Sequence, residues 1–172
     1  MNRTFAGVEA PDYYYTYINH VPDGDIVGIL EAQLGTTAEF LEGIDEARSL
    51  HRYAPDKWTI REALAHVNDT ERVFVFRGFW FARGLEAPLP SFDQDVAMRH
   101  TPANGRSWAS HVGEFRSVRL ATVDLFKHLD PDAWQRRGQA SGHTFTVRAF
   151  AYITAGHLLH HLAVLRDKYG VR

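Results

Sequence analysis

Apolar residues recur along most of this chain at intervals of three and four, the spacing that gathers them on one face of an α-helix. Four stretches carry the pattern. The first runs from about Asp25 to Ala47, with Ile26, Leu30, Leu34, Thr37, Leu41 and Ile44 as its stripe and Asp23 upstream as the expected N-cap. The second runs from about Ile60 to Arg83 on Ile60, Ala63, Leu64, Val67, Phe74 and Phe81. Its start is the best marked: Thr59 and Glu62 have capping-box spacing, and Trp58 stands where it can staple onto the first turn. The third spans roughly Trp108 to Leu129, capped by Ser107 and stopped before Asp130-Pro131, with Phe115, Val118, Thr122, Leu125 and Leu129 in register. The fourth runs from about Val147 to Lys168, and Gly170 follows as its C-terminal stop.

Four helices of ~20 residues are each ~30 Å long, matched closely enough to form an all-α four-helix bundle. Strand patterning is nearly absent. The tyrosine-rich run Asp12 to Ile18 has no partner and precedes a Pro-Asp-Gly-Asp turn, so it reads as an extended N-terminal arm laid across the bundle. A short helical turn is expected near Pro131 to Arg137. The Pro-, Gly- and Asp-rich connection from Gly84 to Arg106, between helices two and three, is long for a bundle, and such loops tend to be functional or to cover something. One domain over residues 1–172, with its core at about 25–169, accounts for the whole pattern.

Composition narrows the function classes. A chain of 172 residues with 45% hydrophobic and 13% aromatic content can bury one sizeable core. Net charge is −2 with no basic run, so the electrostatic footprint of a nucleic-acid binder is missing. There is no cysteine, which excludes disulfides and thiolate ligands; a transition-metal site would have to use His, Asp or Glu. No run has the apolar core of a signal peptide or approaches the ~20 residues of a membrane span, so a soluble cytoplasmic protein is expected.

Ten histidines are present, and position matters more than number. On the fourth helix Val147, Phe150, Thr154, Leu158 and Leu165 share a face, and His157 and His161 fall inside it, one turn apart. Two buried imidazoles side by side have four ring nitrogens in need of partners. Either neighbours satisfy each ring, or one divalent cation at ~2.0–2.1 Å satisfies a nitrogen from both; the spacing alone leaves the two open. His66 lies beside Ala63 and Thr70 on the shoulder of the second helix's stripe, where a solvent-touching border histidine is the plain reading. His160 points about 60° away from His157 and suits an outer contact better than ligation. The remaining histidines occupy loops or unmatched helical positions. No Glu follows His157 and no Glu-x-x-His occurs, so neither a zincin nor a ferritin-like di-iron site fits.

Three segments, taken in order, resemble the DinB-like superfamily of metal-dependent helical bundles. They are Lys57-Trp58-Thr59-Ile60-Arg61-Glu62 leading to His66, then Asn68-Asp69-Thr70-Glu71-Arg72, and finally Gly156-His157-Leu158-Leu159-His160-His161. The resemblance runs from about Ile26 to Tyr169. It implies an up-down-down-up bundle, a homodimer, and one divalent metal ion on His66, His157 and His161; the affinity order of nitrogen ligands then favours zinc or nickel over iron or manganese. It also implies a choice of activities, since relatives include bacillithiol- and mycothiol-dependent S-transferases and a mycothiol-dependent isomerase.

Three neutral imidazoles would leave such an ion its full charge and an open position, suited to activating water for hydrolysis or a low-molecular-weight thiol for transfer. The alternative is a non-enzymatic bundle whose ion is structural. Asp69, one turn after His66, would either orient a ligand, move a proton or complete the coordination, or else face solvent and pair with Arg72. Glu62 is explained by its capping role. Arg77 and Arg119 would either face a cavity and hold an anionic substrate or form surface ion pairs, and the Tyr13 to Tyr17 cluster would roof a pocket or pack across the bundle end.

Overall fold

The computed structural model describes residues 5–172. Its helices are α1 (Tyr15–Ile18), α2 (Ile26–Glu42), α3 (Ile60–Ala82), α4 (Gln94–Arg99), α5 (Trp108–Lys127) and α6 (Val147–Asp167). A two-stranded antiparallel sheet, β1 (Arg137–Ala140) and β2 (His143–Thr146), precedes α6.

The four long helices are those that the apolar stripes predict, and the caps explain their starts. Thr59 and Glu62 complete the capping box of α3, Ser107 accepts from the Ser110 amide at α5, and Thr146 accepts from the Ala149 amide at α6. At α2 the cap is Asp25, accepting from the Gly28 amide at 2.8 Å, not the expected Asp23. That helix ends at Glu42, short of Ala47; a 3-10 turn at Arg48–Leu50 carries the chain onward.

Side-chain pairings fix the topology. Asn68 with His111 and Arg72 with Glu114 run α3 parallel to α5. Lys127 with Glu31 and Arg116 with Glu42 run α5 antiparallel to α2. His66 against His157, with Phe81 against Phe150, runs α3 antiparallel to α6. The result is up-down-down-up, and the 83–107 connection is long because α3 and α5 are parallel and the chain must return the length of the bundle. That connection is not bare loop: it holds α4 and a 3-10 turn at Ala103–Gly105.

A buried polar chain ties the four helices at mid-height. Glu71 of α3 accepts from Arg119 Nε and Nη2 of α5 at 2.8 and 2.7 Å and from Thr122 Oγ1 at 2.7 Å. Arg119 Nη1 donates to Gln33 of α2, whose Nε2 donates to the Ala155 carbonyl of α6 at 3.1 Å. Arg119 is fully buried, so it is neither a surface ion-pair partner nor a cavity cation. Apolar clusters fill the bundle on both sides of this layer, one around Phe81, Phe126 and Phe150, the other around Leu41, Phe115 and Leu162.

Two segments depart from the sequence reading. The tyrosine-rich run is not extended: a 3-10 turn (Asp12–Tyr14) passes into α1, and its aromatic rings pack on one another and on Phe74 and Phe145. The hairpin of β1 and β2 was not anticipated. Its two-residue turn uses Ser141 and Gly142, both at positive φ (55° and 76°), the geometry that matches strand twist in a tight hairpin. Leu89 of the long connection bridges Ala140 in parallel, fastening that connection to the hairpin.

Candidate metal centre

α3 and α6 carry the three histidines to one point. His66 sits in the second turn after the Thr59 cap; His157 and His161 sit one turn apart on α6, which crosses antiparallel. The arm then closes over them. A Cβ at Gly156 would lie 2.2 Å from the Tyr17 carbonyl oxygen and 2.5 Å from its carbon, so only glycine admits α1 this close to α6. That approach sets the Tyr17 ring edge-on to His157 at 5.0 Å. Phe74 flanks the same imidazole at 5.7 Å. Trp58, just before the cap of α3, packs on His66 with ring centres 4.9 Å apart.

One nitrogen from each of His66, His157 and His161 lies within 4.8 Å of the others. His157 Nε2 is 3.2 Å from His66 Nε2 and 3.1 Å from His161 Nε2. Nitrogens bound at 2.0–2.1 Å to one ion stand about 3.0 Å apart at a right angle and about 3.4 Å at a tetrahedral angle, so these separations suit a shared cation. Hydrogen bonding alone fits less well: His157 Nε2 has one lone pair for two neighbours. The other face of His66 is fixed too, its Nδ1 lying 3.2 Å from Thr70 Oγ1, which leaves Nε2 free to ligate when Nδ1 carries the proton.

Electrostatics hold the rings neutral, as ligation requires. Burial pushes His66 down to about 4, with a smaller contribution from His160. Burial and then the neighbouring His66 and His160 push His161 down to about 3. His157 is held well below the usual histidine range by burial, then by His161 and His66.

A cavity of about 250 Å³ opens on the His157 side, lined by the arm tyrosines Tyr13, Tyr14 and Tyr17, by Thr70, Phe74 and Arg77 of α3, and by Phe92 and Gln94 of the long connection. The tyrosine cluster therefore roofs a pocket, and the connection helps to cover it. A second cavity of about 320 Å³ reaches His161 from the other side, between Trp58, Asp95 and Tyr169.

Asp69 is not gathered into the cluster. It pairs with Arg72 at 3.1 Å, a third exposed. Glu62 serves the capping box. His160 touches Tyr17 and His161 by ring edges at 5.5 and 5.2 Å. Thr70, expected beside His66 from its i+4 position, is there; Trp58 was missed as a neighbour of that ring.

The DinB superfamily model matches residues 29–165. The chain belongs to the DinB superfamily. The DinB fold recurs in YfiT from Bacillus subtilis, a probable metal-dependent hydrolase with an unusual four-helix bundle topology, at TM-score 0.71 and 14% identity over 88% of this chain and 94% of that one. A mycothiol-dependent maleylpyruvate isomerase superposes at TM-score 0.65 and 14% identity over 84% of this chain; only 61% of the isomerase is covered, less than two thirds of its length. No curated protein matches. Among the described residues no helix is long and apolar enough to cross a membrane.

Proposed function

We propose that this DinB-superfamily protein is a metal-dependent enzyme, a transferase that joins a small external thiol to an electrophilic substrate at a three-histidine site. The observation that carries the reading is that three nitrogens, with no fourth protein donor beside them among the described residues, converge next to a cavity. Three protein ligands and an open side are the pattern of catalytic sites, whereas structural sites are closed by a fourth. Cavities on both the His157 and His161 sides leave room for two reactants, which favours transfer over hydrolysis; the chain has no cysteine, so the thiol must be supplied.

A divalent ion bound there would supply Lewis acidity and lower the pKa of whatever occupies its open side. The chain's own residues do the rest. His66, His157 and His161 stay neutral and aim nitrogens at one point. Thr70 holds the His66 ring by its Nδ1 side. The Tyr17 hydroxyl, raised well above the ordinary phenol value by burial, keeps its proton and bonds to Tyr13 at 3.1 Å. The arm and Phe92 restrict water on the cavity side.

The test is elemental analysis followed by a thiol-consumption assay with an electrophilic substrate. The reconstituted protein should hold close to one divalent ion per chain. His157→Ala should lose most of that ion and all thiol consumption, while His160→Ala keeps both. Absence of the ion after reconstitution, or equal losses in the two variants, would overturn the assignment. Water consumption without thiol would replace transfer by hydrolysis.

A further inference from the structure

Arg77 is the charged side chain of the His157 cavity, and its charge is unanswered. It is 4% exposed, yet no ion-pair partner reaches it among the described residues, and no acidic side chain lines the cavity. Nη2 donates to the Pro90 carbonyl at 2.8 Å and to Ser141 Oγ at 3.0 Å, and the guanidinium also hydrogen-bonds the Tyr14 hydroxyl. Nε and Nη1 together still retain donors. Contrast Arg119, equally buried, which has a bidentate carboxylate. Burying a guanidinium with neutral acceptors only is unfavourable unless an anion joins it. Pro90 and Ser141 hold it in place from the connection and the hairpin, so it is positioned as well as buried.

Arg77 also stands on the same helical face as His66. Eleven residues are three turns of α3, about 16 Å along the axis, and helical side chains lean back toward the N-terminus, here toward the histidines. Between the two ends the lining mixes the rings of Phe74 and Phe92 with the polar groups of Thr70, Gln94 and the arm tyrosines. The volume, about 250 Å³, is below the range typical of drug-sized ligands.

We infer that the His157 cavity takes a small substrate ending in a carboxylate, which Arg77 grips with a fork of N–H donors while the reacting end lies at the histidine cluster. A planar bidentate donor is the natural partner of a carboxylate. The inference rests on the metal-dependent reading above, and the test separates the two.

The zinc-reconstituted protein is titrated with hydroxamates that carry a terminal carboxylate on alkyl chains of increasing length, each matched by its terminal carboxamide. The hydroxamate end reports the ion and the far end reports Arg77. At one chain length the carboxylate is expected to bind roughly ten- to a hundredfold more tightly than the amide. Arg77→Met should reduce that preference to about twofold or less while leaving zinc content and amide-series affinity unchanged. Arg77→Lys, which keeps the charge without the fork, should retain part of it. No preference at any length in the wild type, or a full preference surviving in the variants, overturns the inference and leaves the metal site standing. If neither series binds, zinc content decides: a protein without the ion overturns the metal site and this inference with it, and a zinc-loaded protein overturns this inference alone.

Discussion

Glu71 and Arg119 offer a sharp perturbation of the bundle. Both are buried, with side chains 3% and 0% exposed. Glu71→Ala removes the acceptor of three hydrogen bonds at 2.7–2.8 Å and strands a guanidinium in the middle of four helices. Breaking a buried pair from one side typically costs about 3–5 kcal/mol, a large share of the roughly 5–15 kcal/mol by which a domain is stable. Removing both charges should behave differently. In Glu71→Leu/Arg119→Met no unpaired ion remains, Thr122 keeps its bond to the Val118 carbonyl, and only Gln33 Oε1 loses its donor. The double variant is therefore expected within about 2 kcal/mol of the wild type, with the orphaned Gln33 group the main loss. Urea unfolding followed by tryptophan fluorescence reads both changes, the slope checking that the transition stays two-state. A single substitution costing under about 1 kcal/mol, or a double variant as unstable as the sum of its singles, would refute the claim that the chain of charges, and not its volume, fixes this layer.

Three further outcomes are expected. Chelation should lower the melting temperature and added zinc restore it, by about 2.7 kcal/mol at a hundredfold excess over the dissociation constant; an identical melting temperature with and without the ion would contradict the crosslink between α3 and α6. In the metal-free protein His66 and His161 stay neutral down to about 4 and about 3, against 6.5 when unfolded, so the unfolded chain takes up protons that the fold excludes. Stability should thus be full above pH 6.5 and fall toward pH 4 by about 1.4 kcal/mol per unit for each histidine; a flat urea midpoint across that window would count against burial as the cause. Gly156→Ala should cost about 1–3 kcal/mol by driving a methyl into the Tyr17 backbone, whereas Gly35→Ala, in α2 with nothing within 4 Å, should stabilise by up to about 1 kcal/mol. Equal effects in thermal melts would show that the arm yields freely.

The bundle was legible because each long helix carries an apolar stripe, and Thr59 and Ser107 marked two of the starts; the caps Asp25 and Thr146 of the other two were not singled out. What escaped were structures whose signals are short or context-bound. The run through Tyr13 and Tyr17 has aromatic character that suits a strand, but packing on Phe74 and Phe145 decides its helical turn. The hairpin rests on two four-residue strands and a Ser-Gly turn, too brief for periodicity to detect. The site divides likewise. His157 and His161 could be paired from one helix alone, since four residues is one turn. His66 was legible through family resemblance, because its place on the shoulder of a stripe says nothing of the Trp58 ring that covers it. Arg119 and Arg77 look alike in sequence; only the fold gives Glu71 to the first and leaves the second without a carboxylate.

His66 and His157 are separated by 91 positions in the chain. An isolated α6 could offer an ion two imidazoles, and an isolated α3 only one, so the complete ligand set appears only when two distant segments dock. Unlike a zinc finger, where neighbouring ligands let the metal organise the fold, this ion would reward a long-range contact already made. Its grip would then register mainly in how slowly the bundle comes apart, and little in how fast it comes together.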